Sequence, residues 1–191
     1  MVNFLIFGPP GSGKGTQSVK LAEKFNLLHL STGDMLRAEI AAGTELGKKM
    51  SSIMSKGELV PDEVVIEMIA YKIDHSKGIA GFLFDGFPRT VAQTIALEKM
   101  LNDRKMKIDN MLVLDVDHDE LVKRLVARAE LSGRPDDKDP AVIENRIDVY
   151  KSKTEPIIAY CREKGIYQPV KGMGTIDDIF ERLCGFMEKF V

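Results

Sequence analysis

The chain has 191 residues, 44% of them apolar, with 27 Lys and Arg against 29 Asp and Glu. That length and apolar share support one domain with a substantial core and room for insertions. A net charge of −2 gives no basic field of the kind that makes nucleic acid a main partner, so any anion site must come from local arrangement.

The apolar run Val2-Asn3-Phe4-Leu5-Ile6-Phe7 predicts a buried strand. No charged segment precedes it and it is far too short to span a bilayer, so neither an export signal nor a membrane partner is expected. The expected compartment is the cytoplasm, or an organelle interior after import. Cys161 and Cys184 agree with this: they are isolated and read as reduced, buried thiols. His29, His75 and His118 are scattered without ligand spacing, so no zinc site is expected.

Directly after the strand comes Gly8-Pro9-Pro10-Gly11-Ser12-Gly13-Lys14-Gly15-Thr16, and Gln17 to Phe25 predicts a helix. Strand, glycine loop and helix form the context of a phosphate-binding loop. Glycines let backbone N–H groups curl toward an anion at the positive end of the helix. Lys14 adds a mobile charge able to follow a transferring phosphoryl group. In the general pattern a Ser or Thr follows the lysine and binds magnesium; here Gly15 intervenes before Thr16. Contact of the hydroxyl with phosphate, or with the metal through water, is therefore the expectation.

Leu27-Leu28-His29-Leu30 predicts a second strand, and Ser31-Thr32-Gly33-Asp34 a capped helix start that brings Arg37 near an N-terminal turn. Thr44 to Lys56 has helical spacing, Gly57 ends it, and Pro61-Asp62-Glu63 opens another helix. Most of residues 31 to about 75 are expected to be ordinary packing helices. Phe82-Leu83-Phe84-Asp85 predicts a buried strand delivering a carboxylate to the sheet's carboxyl edge. Asp85 there either organises Mg²⁺ and its waters or caps the next loop.

Gly86-Phe87-Pro88-Arg89 leads into a helix from about Thr90 to Asn102, and Met111 to Leu114 predicts another strand. The following helix is expected to carry Leu121, Leu125 and Val126 on its apolar side, with Arg124 and Arg128 sharing a face. Leu131 to Asp137 is polar and rich in turn residues. A single helix from Pro140 to about Glu163 carries Arg146, Tyr167 to Val170 is a last strand, and Ile176 to Phe190 an amphipathic helix. Alternation of this kind predicts an α/β fold with a five-stranded, parallel, doubly wound sheet.

Five motifs in order, namely the glycine loop, Ser31-Thr32-Gly33-Asp34-Met35-Leu36-Arg37, Asp85-Gly86-Phe87-Pro88-Arg89, Ser132-Gly133-Arg134 and Arg146, resemble the nucleoside monophosphate kinases, most closely the adenylate kinases in their short-lid form. The resemblance spans essentially the whole chain. It implies reversible Mg²⁺-dependent phosphoryl transfer from ATP to AMP giving two ADP. It also implies a core of 1–30, 61–126 and 138–191, a helical NMP-binding insertion at 31–60 and a lid at about 127–137. Lys14, Arg89, Arg128, Arg134 and Arg146 would be catalytic. Gly11, Ser12, Gly13, Lys14, Gly15, Thr16, Arg124, Arg128 and Gly174 would bind ATP, with Arg124 stacked on its adenine. Thr32, Arg37, Glu58, Leu59, Val60, Gly86, Phe87, Pro88, Arg89, Gln93, Arg134 and Arg146 would bind AMP. Asp85 would serve Mg²⁺ through water, and a monomer is the expected state.

A GTPase would resemble families with an N-K-x-D element; Asn145-Arg146-Ile147-Asp148 lacks the lysine and falls inside a predicted helix. A non-catalytic ATP-binding module needs no second, AMP-shaped residue set. UMP/CMP kinase is the serious rival, and Thr32 and Gln93 are the residues that speak against it.

Overall fold

The computed structural model describes residues 1–132, 137 and 139–191. Five strands, β1 (Val2–Phe7), β2 (Leu27–Ser31), β3 (Gly81–Asp85), β4 (Asn110–Asp115) and β5 (Tyr167–Lys171), form one sheet in the order β2-β3-β1-β4-β5. Every pairing is parallel, with Phe4 level with Leu83 and Leu5 with Met111. Successive side chains on a strand point to opposite faces, and here both faces are apolar. Leu5, Phe7, Phe82, Phe84, Met111 and Val113 belong to one core, whereas Phe4, Ile6, Leu83, Leu112 and Leu114 belong to the other. This accounts for the unbroken apolar runs in the sequence, because a strand covered on both sides needs no polar alternation.

The second of these cores is closed by α1 (Lys14–Lys24) and α9 (Ile176–Met187), through Leu21, Ile179, Leu183 and Met187. The first is closed by α2 (Thr32–Ala41), α3 (Glu45–Met54), α4 (Asp62–Asp74), α5 (Val91–Asn102) and α8 (Pro156–Glu163). Leu36 and Met50 reach into it, so the helices of the 31–60 segment share a core with the sheet. Ser31, Thr44 and Thr90 cap α2, α3 and α5 by accepting backbone N–H groups.

Two expectations about the later helices are corrected. On α6 (His118–Ser132), Leu121 and Leu125 are buried, but Val126 is 48% exposed. Residues 121 and 125 are one turn apart, and Leu125 packs with Ile143 and Ile147; residue 126 lies a further 100° around the helix and leaves that stripe. The helix expected from Pro140 to Glu163 is not continuous. It runs as α7 (Pro140–Val149), a π turn over Tyr150–Thr154, then α8. Pro156 cannot continue a helical ladder from within, and it sits in the first turn of α8, where a missing N–H costs least.

Cys161 and Cys184 are buried free thiols, and burial raises the pKa of both, that of Cys161 to about 11. No helix among the described residues is long and apolar enough to cross a membrane.

Candidate active site

The strand order reverses beside β1, which lies between β3 and β4, and ligands of open α/β sheets bind at the carboxyl edge of such a switch point. The glycine loop leaves β1 there. α1 starts at Lys14, three residues earlier than its apolar pattern suggests, because Gly13 (φ 90°) turns the chain straight into the helix. No side chain caps α1. Its first N–H groups therefore face the cavity with the positive end of the helix behind them. Gly11 (φ 85°) admits no side chain: a Cβ would sit 2.7 Å from the Leu121 carbonyl oxygen. Ser12 is buried at the base of the loop.

Lys14 Nζ folds back onto the Gly8 and Pro9 carbonyls at 2.6 and 3.0 Å. Its pKa is pulled down to about 8, first by burial; Asp85 opposes this, whereas Arg89, Arg128 and Arg146 add to it. Asp85 ends β3 and is 7% exposed, with Oδ2 3.1 Å from His29 Nε2. A Cβ on Gly15 would lie 3.9 Å from that carboxylate oxygen, so the carboxylate stands close to the first turn of α1. Exposed Thr16 adds a hydroxyl one residue on. Among the described residues no group of three His, Cys, Asp or Glu is disposed to hold a metal. A single hard carboxylate beside a phosphate loop fits Mg²⁺, which keeps several waters and takes its other oxygens from phosphates.

A cavity of about 830 Å³ opens in front of the loop, and Gly11, Gly13, Lys14, Gly15, Thr16, Arg37, Asp85, Arg89, Arg124, Arg128, Arg146 and Gly174 all line it. Arg124 bridges three elements: Nε donates to Glu120, and the other nitrogens to the carbonyls of Ser12 and Gly172 at 3.4 and 3.1 Å. Arg128 donates to both carboxylate oxygens of Asp137 at 2.6 and 2.7 Å, and Arg146 donates to the same group at 2.5 Å. Burial works against the ionised form of Asp137, but the hydrogen bond and charge of Arg128, together with Arg146, outweigh it, and its pKa is lowered. Arg134, expected beside them, lies outside the described residues, as do Gly133, Pro135, Asp136 and Lys138.

A narrower cavity of about 70 Å³ adjoins the first, lined by Thr32, Arg37, Glu58, Leu59, Val60, Gly86, Arg89, Gln93 and Arg146. Arg37 donates to Asp34 at 2.5 Å. The Thr32 hydroxyl and Arg89 Nε both donate to the Gly86 carbonyl at 2.8 Å, which ties the start of α2 to the loop after β3. Pro88 borders the larger cavity, but the Phe87 ring is fully buried in the core, which leaves only its backbone for a ligand. Gly57 (φ 75°) lies so close to Arg146 that a Cβ would meet its Cγ at 2.5 Å.

Four residues of this constellation are not singled out by sequence reasoning: Asp137, Thr154, Asp62 and His29. Each acts by holding another site residue: Asp137 holds two arginines, Thr154 and Gln93 hold the Arg89 peptide, Asp62 holds Gln93, and His29 holds Asp85. No local pattern marks them, since their partners lie up to 65 positions away.

Sheet order, switch-point cleft and glycine loop define a P-loop α/β protein. The family description "Adenylate kinase" matches residues 6–166. The chain is 49% identical to an adenylate kinase of Phocaeicola vulgatus over 189 residues, 99% of this chain and 100% of the relative. It is 48% identical to that of Bacteroides thetaiotaomicron over the same shares. It is 42% identical to that of Thermodesulfovibrio yellowstonii, covering 98% of this chain and 100% of the relative. The chain belongs to the adenylate kinase family, phosphotransferases that move a phosphoryl group from ATP to AMP to give two ADP.

Proposed function

We propose that the larger cavity takes Mg-ATP along the glycine loop and Arg124, and that the narrower one takes AMP, with its base near Thr32, Val60 and Gln93. Arg37 and Arg89 bind the AMP phosphate. An AMP phosphate oxygen attacks the γ-phosphorus, a new P–O bond forms, the bond to the bridging oxygen of ADP breaks, and two ADP result. No side-chain nucleophile or general base is needed, so the protein contributes position and positive charge in a site that excludes water. Lys14, Arg89, Arg128, Arg134 and Arg146 supply that charge. Asp85 orders the waters of a magnesium ion, which when bound neutralises phosphate charge. No zinc takes part.

The observation that carries this reading is the convergence of Lys14, Arg37, Arg89, Arg124, Arg128 and Arg146 on one cavity in a chain whose net charge is −2. Asp34, Glu120 and Asp137 pair with Arg37, Arg124, Arg128 and Arg146, and a ligand with several negative charges complements six cations gathered on one cavity. A monomer is the proposed state, and two free, buried thiols favour the cytoplasm. The test is ADP formation from Mg-ATP with AMP, CMP, UMP and GMP in turn. AMP is expected to be used at least a hundredfold more efficiently than the others. Comparable use of CMP or UMP would assign the chain to the pyrimidine kinases instead.

A further inference from the structure

The side-chain amide of Gln93 is held at both ends. Its oxygen accepts the Arg89 backbone N–H at 2.6 Å, and its nitrogen donates to Asp62 Oδ1 at 2.7 Å. Gln93 is 2% exposed and borders the narrower cavity. A primary amide has two nearly equivalent orientations about its last torsion, which exchange a donor for an acceptor. Here the two partners admit one of them, since a backbone N–H requires an oxygen and a carboxylate requires an N–H.

We propose that Asp62 is a specificity-determining residue that acts through Gln93, fixing the amide in the order that accepts a 6-amino base and rejects a 6-oxo base. The inference rests on the reading of the narrower cavity as the site of the monophosphate base. With its two internal bonds made, the amide retains one oxygen lone pair and one N–H. An adenine edge offers an N6–H donor beside a nitrogen acceptor, which complements that pair. Hypoxanthine has the same ring shape with the opposite order, a 6-oxygen acceptor beside an N1–H donor. Against a fixed amide it sets oxygen against oxygen and N–H against N–H, and both polar groups stay unpaired.

Without Asp62, the Arg89 N–H is the one remaining partner of the Gln93 amide among the described residues that resists its rotation. Cytosine carries its amino group and ring nitrogen in the adenine order, so exclusion of CMP falls to ring size and not to this lock. Asp62 also lies in the first turn of α4, where an acidic residue favours the helix. That contribution affects every substrate alike, so substrate ratios separate the two roles.

The experiment measures kcat/KM for AMP, IMP and CMP with saturating Mg-ATP in the wild type, Asp62→Ala, Asp62→Asn and Gln93→Ala. The expected result is a fall in the AMP-to-IMP ratio on the order of tenfold in Asp62→Ala, an unchanged AMP-to-CMP ratio, and a comparable fall in Asp62→Asn, whose amide both accepts and donates and so admits either orientation of Gln93. If Asp62→Ala does not fold, Asp62→Ser, too short to reach the amide, replaces it. A ratio that moves in Gln93→Ala but not in Asp62→Ala overturns the lock while leaving Gln93 as the base reader. A ratio that moves in neither variant removes both residues from base selection. Failure of the wild type to convert AMP at all would overturn the functional reading beneath the inference.

Discussion

The Thr154 hydroxyl donates to the Arg89 carbonyl at 3.0 Å, from a residue 65 positions further along the chain. Thr154 is the last residue of the π turn, 7% exposed, and the turn places it there. The Arg89 peptide is thus held on its nitrogen side by Gln93 and on its oxygen side by Thr154. Replacing Thr154 with Val keeps the shape and deletes the donor. The loss is expected to destabilise the protein by about 1–3 kcal/mol in denaturant unfolding and to raise the KM for AMP several-fold. Thr154→Ser should restore both. An unchanged KM would limit Thr154 to a structural role.

Lys14→Met retains most of the side-chain volume and removes the charge. Turnover is expected to fall on the order of a hundredfold or more, with the circular dichroism spectrum intact. A folded variant with near-normal turnover would remove Lys14 from the chemistry. The depressed pKa adds a pH signature. The native lysine titrates near 8 and the unfolded one near 10.5. Between those values the unfolded chain binds more protons, so this residue makes stability rise with pH across the window. Phosphate beside Lys14 favours its charged form, so ATP binding above pH 8 should take up a proton. Titration calorimetry at pH 8.5 in buffers of different ionisation enthalpy measures that uptake, which Lys14→Met should abolish.

Arg128 and Arg146 converge on Asp137, a carboxylate with no exposed side-chain surface. Arg128→Ala is expected to lower kcat about a hundredfold while changing the KM for AMP far less, the pattern of a contact made in the transition state. A pure KM effect would assign Arg128 to ground-state binding. Asp137→Asn should destabilise the protein near neutral pH. Because the native pKa is lowered, that stabilisation is present above the ordinary carboxylate range and is lost as pH falls through the native value. The difference in stability between wild type and variant should therefore shrink below about pH 4.

Lid closure is a familiar property of adenylate kinases; which segments close in this chain is the specific prediction. An analogue joining two adenosines through phosphates should protect residues 31–60 and about 127–137 from hydrogen exchange. Gly57 and Arg146, in near contact, mark where the first segment meets α7. Protection confined to the glycine loop would rule out closure of two lobes.

The sequence by itself determined the strands, the glycine loop and the capped start of α2 at Ser31. Each of these depends on residues within a few positions: a run of up to four apolar side chains, glycines at positive φ, or a Ser or Thr three residues before a backbone N–H. The same locality made α1 appear to begin at Gln17, since an apolar pattern cannot register that Gly13 already turns the helix. Tertiary structure alone decided that Val126 faces outward, that the helix from Pro140 breaks into a π turn, and that Phe87 is core. It alone decided the pairs Asp62–Gln93, Thr154–Arg89, His29–Asp85 and Arg146–Asp137, which are separated by between 9 and 65 residues. A hydrogen bond between such residues has no local propensity behind it. It exists because packing on the two faces of the sheet carries both partners to one edge, where a buried polar group is costly until it finds the other.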